Sequence, residues 1–310
     1  MNRKRWMRIF SMYLGIATLM FFVSYGTAKA ATLCVEKSGA NGCYTSIQAA
    51  VDVANSGDTI EVHPESYSEV NIHKNVVIIG IAGPERTTIM SLSGNAVNVG
   101  SNSTVTIRGF RISGGTNGVY VANATLTLRN NEIIGTAGHG VYCYSAYTLS
   151  TTCNVINNTI DGSGGEGIQT ANPADAQNRR GTSNIFISSN MILDSINISA
   201  PSSASCFYNT ITGVVLGTSC SSTQTADPLF IPGNYCAVQS ASPSIDAGSP
   251  SPTDNDPDGT RNNQGACGGP YAAAFWPYPS GGPVITNLTV TPASVPQGGT
   301  VTIQATGEVR

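Results

Sequence analysis

A five-residue phrase returns along this chain with its final isoleucine preserved: Arg-Asn-Asn-Glu-Ile ending at Ile133, Ile-Asn-Asn-Thr-Ile at Ile160, Ser-Ser-Asn-Met-Ile at Ile192 and Phe-Tyr-Asn-Thr-Ile at Ile211. Asn131, Asn158, Asn190 and Asn209 share one slot, and Phe110 holds it in an earlier copy, Gly-Phe-Arg-Ile. The slots are 21, 27, 32 and 19 residues apart, each enough for one turn of a solenoid of short strands.

A second phrase keeps step with the first. Asn117-Gly118-Val119-Tyr120, His139-Gly140-Val141-Tyr142 and Glu166-Gly167-Ile168-Gln169 follow at intervals of 22 and 27 residues. Each coil therefore has two marked strands. Short runs of Val, Ile, Thr and Tyr separated by Gly, Asn or Ser carry no helical period, so the expected fold is all-β, a parallel β-helix. Equivalent side chains then stack ~4.8 Å apart, and identical asparagines can chain amide hydrogen bonds along a turn.

Residues 1–30 read as a secretory signal: Arg3, Lys4, Arg5 and Arg8, an apolar run from Ile9 to Val23, then Ala28-Lys29-Ala30 as a cleavage site. Such a run is too short for a membrane span, and the chain is expected not to span one after processing. Five of the 15 basic and none of the 18 acidic residues lie in this leader, so the remainder carries −8. That sign excludes a nucleic-acid partner. The eight cysteines all follow the leader, which in an exported chain reads as disulfides. Only sequence-near segments touch in a solenoid, so the expected pairs are Cys34 with Cys43, Cys143 with Cys153, Cys206 with Cys220, and Cys236 with Cys267.

Ser46 opens one helical pattern, with Ile47, Ala50, Val51 and Ala54 on a face and Ser56-Gly57 as its stop, a lid for the open end of the coil. Ser46-Ile47-Gln48-Ala49-Ala50, Ser56-Gly57-Asp58-Thr59-Ile60 and Val62-x-Pro64-x-x-Tyr67 resemble the opening of the pectate-lyase-like, right-handed parallel β-helix superfamily. Asp227-Pro228-Leu229-Phe230, Ser242-Pro243-Ser244-Ile245-Asp246-Ala247-Gly248, Asp256-Pro257-Asp258-Gly259-x-Arg261 and Gly265-Ala266-Cys267-Gly268-Gly269 resemble the choice-of-anchor Q group of exported bacterial β-helix proteins, although Cys267 departs from the usual pattern. The resemblance covers the chain from the leader to about residue 270 and implies fold and export. It implies no single activity, because one solenoid hosts lyases, hydrolases, esterases and binders.

The expected organisation is a β-helix with a C-terminal cap segment over 31–270, a Pro/Gly-rich linker over 271–283, and over 284–310 the start of an immunoglobulin-like domain. Two strands cannot make a sandwich, so that last segment reads as truncated.

Loops after the strands of Tyr120, Tyr142 and Gln169 lengthen from coil to coil, and those around Cys143–Cys153 and Arg179-Arg180 are expected to wall a groove beside the row Asn117, His139, Glu166. In it, Glu166 and Asp161 are candidate acids, His139 a candidate base, and Arg179 or Arg180 a partner for a sugar carboxylate. Asp194 is assigned to another face. The bland alternative is that all of these are solvated turn residues, since neither the paired aspartates of hydrolases nor an Arg-x-Lys of lyases is present. Tyr120 and Tyr142 are sugar-stacking faces or ordinary strand formers. Asp254-x-Asp256-x-Asp258-Gly259 has the alternating oxygens of a calcium loop, but its twelfth position is Gly265, and the same residues also simply make turns. The reading is an exported monomer that binds an extracellular or cell-surface polysaccharide, with no cofactor required beyond a calcium option; the alternative is a polysaccharide lyase or glycoside hydrolase in the same groove.

Overall fold

The computed structural model describes residues 30–276, 283–292, 294 and 299–309. The leader, apart from Ala30, and residues 277–282 of the linker lie outside the described residues.

The chain winds into a parallel β-solenoid of about eight turns, with sheets of eight, seven and seven strands. Each complete coil contributes three strands, as in Thr104–Arg108, Arg111–Gly114 and Asn117–Ala122, one to each sheet in turn. The sequence marks two strands per coil and the structure has three. The unmarked one, in the first sheet, carries no recurring phrase, only an alternation such as Thr125-Leu126-Thr127-Leu128.

Three inward stacks fill the core. Ile60, Ile78, Ile107, Leu128, Val155 and Ile187 are in register on the first sheet. Ile89, Ile112, Ile133, Ile160, Ile192 and Ile211 follow on the second. Val70, Val97, Val119, Val141, Ile168 and Ile196 follow on the third. All are buried, and each contributes roughly 1.5–3 kcal/mol through removal of its side chain from water. Period-2 alternation places their neighbours outside.

The repeated asparagine slot sits at the corner between first and second sheets, fully buried. Asn158 Oδ1 accepts the Asn131 backbone N–H at 3.0 Å, and Asn190 Oδ1 accepts that of Asn158 at 2.8 Å. Asn209 Oδ1 takes the Asn190 N–H at 2.9 Å, while Phe110 donates its N–H to Asn131 Oδ1 at the top. The corner is turned by the residue just before each slot: Gly109, Asn130, Asn157, Ser189 and Tyr208 all have left-handed φ. A glycine is required at 109, where a Cβ would strike the Gly80 carbonyl.

Helix α1 (Ile47–Val53) covers the first coil. The Ser46 side chain accepts the Ala49 N–H, and Ile47, Ala50 and Val51 are buried. All four expected disulfides are present. Cys143–Cys153 does close the loop between its strands, yet both residues are fully buried, so the bond lies inside the solenoid rather than out on the loop.

After the last coil the chain forms a strap that climbs back along the asparagine corner. Ser249 N–H donates to Ser189 Oγ, Asn157 Nδ2 to Asn262 Oδ1, and Asn130 Nδ2 to the carbonyls of Ala266 and Gly268. Tyr271 then lies under the guanidinium groups of Arg108 and Arg129, 5.3 and 5.2 Å from its ring centre. Pro283–Thr291 and Thr302–Val309 pair as an antiparallel hairpin.

Candidate functional site

The third sheet turns a flat outer face to solvent. Register places Asn71, Asn98, Tyr120, Tyr142, Gln169 and Asn197 in one outward row across six coils. Two residues on, Tyr144 stands in the next outward row. Strand spacing brings the rings together: Tyr120 and Tyr142 centres are 5.6 Å apart, and Tyr120 and Tyr144 6.1 Å. His139 joins them, 5.1 Å from Tyr142. Partial burial against one another raises the Tyr120 and Tyr142 hydroxyl pKa values above the ordinary tyrosine value.

The row Asn117, His139, Glu166 lies at the start of these strands and is hydrogen-bonded coil to coil. Asn117 Nδ2 donates to Asn95 Oδ1 at 2.7 Å, and His139 N–H donates to Asn117 Oδ1 at 3.0 Å. Glu166 N–H donates to His139 Nδ1 at 3.1 Å, and the same nitrogen is 2.8 Å from Glu166 Oε2. An imidazole nitrogen has one in-plane hydrogen-bonding site, so the backbone N–H and the carboxylate of Glu166 compete for it. A Cβ at Gly165 would stand 2.8 Å from the imidazole, so the ring needs a glycine beneath it.

Asp194 belongs to this row, correcting its assignment to another face. Ile168 pairs with Ile196, which carries the register back to Glu166 opposite Asp194. Its Oδ2 accepts the Ser163 N–H at 3.0 Å, and burial raises the carboxyl above the usual aspartate pKa.

Beside the row runs a shallow trough lined by Gly94, Gly115, Thr116, Thr136, Ala137 and Gly164. Four successive coils supply the lining, so the trough follows the solenoid axis. Gly115 and Gly164 are demanded by close stacking, since a Cβ on either would meet the carbonyl of the coil above. The Thr136 hydroxyl, buried at this edge, has no hydrogen-bond partner.

Other candidates are placed elsewhere. Arg179 is tied to Asp175 at 2.6 Å, and Arg180 Nη1 donates to the Asn172 carbonyl of its own loop. Both follow strand Ile168–Ala171, while Glu166 precedes it, which sets them ~13 Å along the face from the His139–Glu166 pair. Asp161 is on the second sheet, opposite Ile134, where its charge raises the Tyr235 hydroxyl pKa. Neither arginine nor Asp161 is brought to the His139–Glu166 contact.

Asp254, Asp256 and Asp258 do not converge. Asp254 accepts from Ser249 Oγ, and Asp258 from the Thr260 N–H and hydroxyl. Asp256, buried, accepts the N–H groups of Asn263 and Gly269 in the strap. Among the described residues no group of three or more His, Cys, Asp or Glu side chains is assembled for a metal ion.

Sequence reasoning missed Tyr144, Asp194 and the pair in which Asn95 Nδ2 donates to Asn98 Oδ1 at 2.6 Å. Tyr144 was available as the residue two beyond Tyr142 on a period-2 strand. Asp194 was hidden because its coil lacks the following glycine that marks the other three.

No family model matches the chain, and neither a curated protein nor a solved structure matches it. No helix among the described residues is long and apolar enough to cross a membrane. What the chain is shown to be is a parallel β-solenoid of about eight turns, held by four disulfides that fit an exported protein.

Proposed function

We propose that this is an exported solenoid of the pectate-lyase-like kind its sequence resembles, and that it binds a linear extracellular or cell-surface polysaccharide along the third sheet. The observation that carries the reading is the cluster of Tyr120, Tyr142, Tyr144 and His139 rings in line with the amides of Asn71, Asn98, Gln169 and Asn197. Aromatic faces take the apolar side of a sugar ring, and Asn and Gln amides match hydroxyls that both donate and accept. Equivalent residues on successive coils give linked contacts, so a polymer should bind far better than a monosaccharide.

Tyr142→Ala should weaken polymer retention at least tenfold, because burial of one such ring contributes ~1.5 kcal/mol or more. Ser205→Ala, exposed on the first sheet, should change nothing. Affinity electrophoresis in glycan-containing gels reads both. Undiminished retention of Tyr142→Ala would remove the platform from the site.

Cleavage in the same groove is the second reading, favoured by the 2.8 Å approach of His139 Nδ1 and Glu166 Oε2, an imidazole and a carboxylate of the kind used in acid–base work. Release of new reducing ends, abolished in His139→Ala, would establish it.

A further inference from the structure

Resting on the binding reading, we infer that the third-sheet face selects uncharged glycan chains and rejects uronate polymers. The outward side chains of its strands are amides, tyrosines and alanines, as in Asn98, Tyr120, Ala122, Tyr144 and Gln169, with Leu216 at the end of the row. Among the described residues the acidic charges at the strand starts are Glu69, before Val70–Ile72, and Glu166 and Asp194, which the register sets on neighbouring coils. Asp161 reinforces them, since its charge acts on Asp194.

Lys74, just past the third-sheet strand Val70–Ile72, is bound to the Asp52 and Ala54 carbonyls, and the following arginines are engaged as well. Arg111 is paired with the buried Glu132 at 2.7 Å on the second sheet. Arg108 and Arg129 lie over Tyr271 in the strap. Arg179 and Arg180, the two that approach the far edge, are bound to Asp175 and to the Asn172 carbonyl. Among the described residues no lysine or arginine projects from the strands of the third sheet. A uronate chain carries a carboxylate on every ring, so several would lie within a Debye length, ~8 Å at physiological salt, of Glu166 and Asp194 with no counter-charge. A neutral chain meets the same amides and rings without that repulsion.

The test uses polygalacturonate and its fully methyl-esterified form, which share a backbone and differ in charge, together with a neutral xylan and glucan. The ester or a neutral chain should be retained at least tenfold more strongly than the free acid at low salt, the gap narrowing at 0.5 M salt as charges are screened, a range of roughly ten- to twofold. Glu166→Gln combined with Asp194→Asn should raise retention of the acid toward that of the ester. The amides preserve the acceptor for Ser163 and a hydrogen bond to His139, and an unchanged melting temperature checks the fold. Acid bound as tightly as ester, or no gain in the double variant, overturns the selectivity while leaving the binding reading in place. Retention of none of the four polymers removes the binding reading and the inference together.

Discussion

Asn158→Ala should lower the unfolding free energy by roughly 3–5 kcal/mol, at the upper end of what single substitutions do. The loss is expected because this side chain fills five hydrogen-bonding places at once. Its Nδ2 donates to the carbonyls of Leu128 and Ile156 at 2.9 and 3.0 Å and to Asn190 Oδ1 at 3.2 Å. Its Oδ1 accepts both the backbone N–H and Nδ2 of Asn131, at 3.0 and 3.1 Å. Alanine leaves the Asn131 N–H buried with no partner and breaks the chain of amides between coils. Asn158→Asp should be at least as damaging, since it puts a charge at a fully buried corner and faces two carbonyls with no donor. Asn154→Ala, outward on the strand just before, should cost under about 0.5 kcal/mol. Urea unfolding followed by circular dichroism measures all three; a loss below about 1 kcal/mol for Asn158→Ala would show the ladder to be incidental.

That corner also shows what could be read without coordinates. A ladder needs the same residue at the same place in every coil, so it writes itself into the sequence as a repeated letter. The inward stacks do likewise through alternation, and the Ser46 cap and the neighbouring cysteine pairs are local in sequence. The doubled asparagines conceal two jobs: Asn158 forms the ladder, whereas Asn157 turns the corner and reaches the strap. Nothing periodic announces the strap, because its contacts join residues more than 100 positions apart, such as Asn157 with Asn262 and Asn130 with Gly268. The candidate site was legible where register decides it, in Asn117, His139, Glu166, Tyr120, Tyr142 and Gln169. It was misread where a turn decides it. Asp161 ends a strand on the second sheet, Arg179 folds back on Asp175, and Asp194 enters the row only because the coil below resumes the same register.

Asp256→Ala should release the strap and lower the melting temperature by many degrees, and the same residue should make strap stability depend on pH. Its carboxyl is buried and receives the Asn263 N–H at 3.0 Å and the Gly269 N–H at 2.5 Å. Between those two anchors lie the Ala266 and Gly268 carbonyls that hold Asn130, so the substitution orphans the buried Gly269 N–H and the half-buried Asn263 N–H and loosens the clasp on the coil. At ~1–3 kcal/mol for each orphan, the expected loss is about 2–5 kcal/mol. Burial dominates the titration of this group: despite the two N–H donors, its pKa is pushed up to about 7, with Asp258 and Asp246 adding repulsion. The folded state therefore holds the proton more tightly than the unfolded chain, whose aspartate titrates near 4. The stabilisation is fully present below pH ~4 and is lost as pH rises through about 7. After screening by solvent, this should amount to 1–2 kcal/mol, on the order expected for a partly relaxed site. Glu132 and Asp194, also raised by burial, act in the same direction. The melting temperature should thus fall between pH 5 and pH 9, and Asp256→Asn, which cannot ionise, should flatten much of that slope. Hydrogen exchange should localise the effect to residues 256–272. An equal slope in Asp256→Asn, or exchange rates in the strap that ignore pH beyond the intrinsic base catalysis, would assign the pH dependence to other carboxyls.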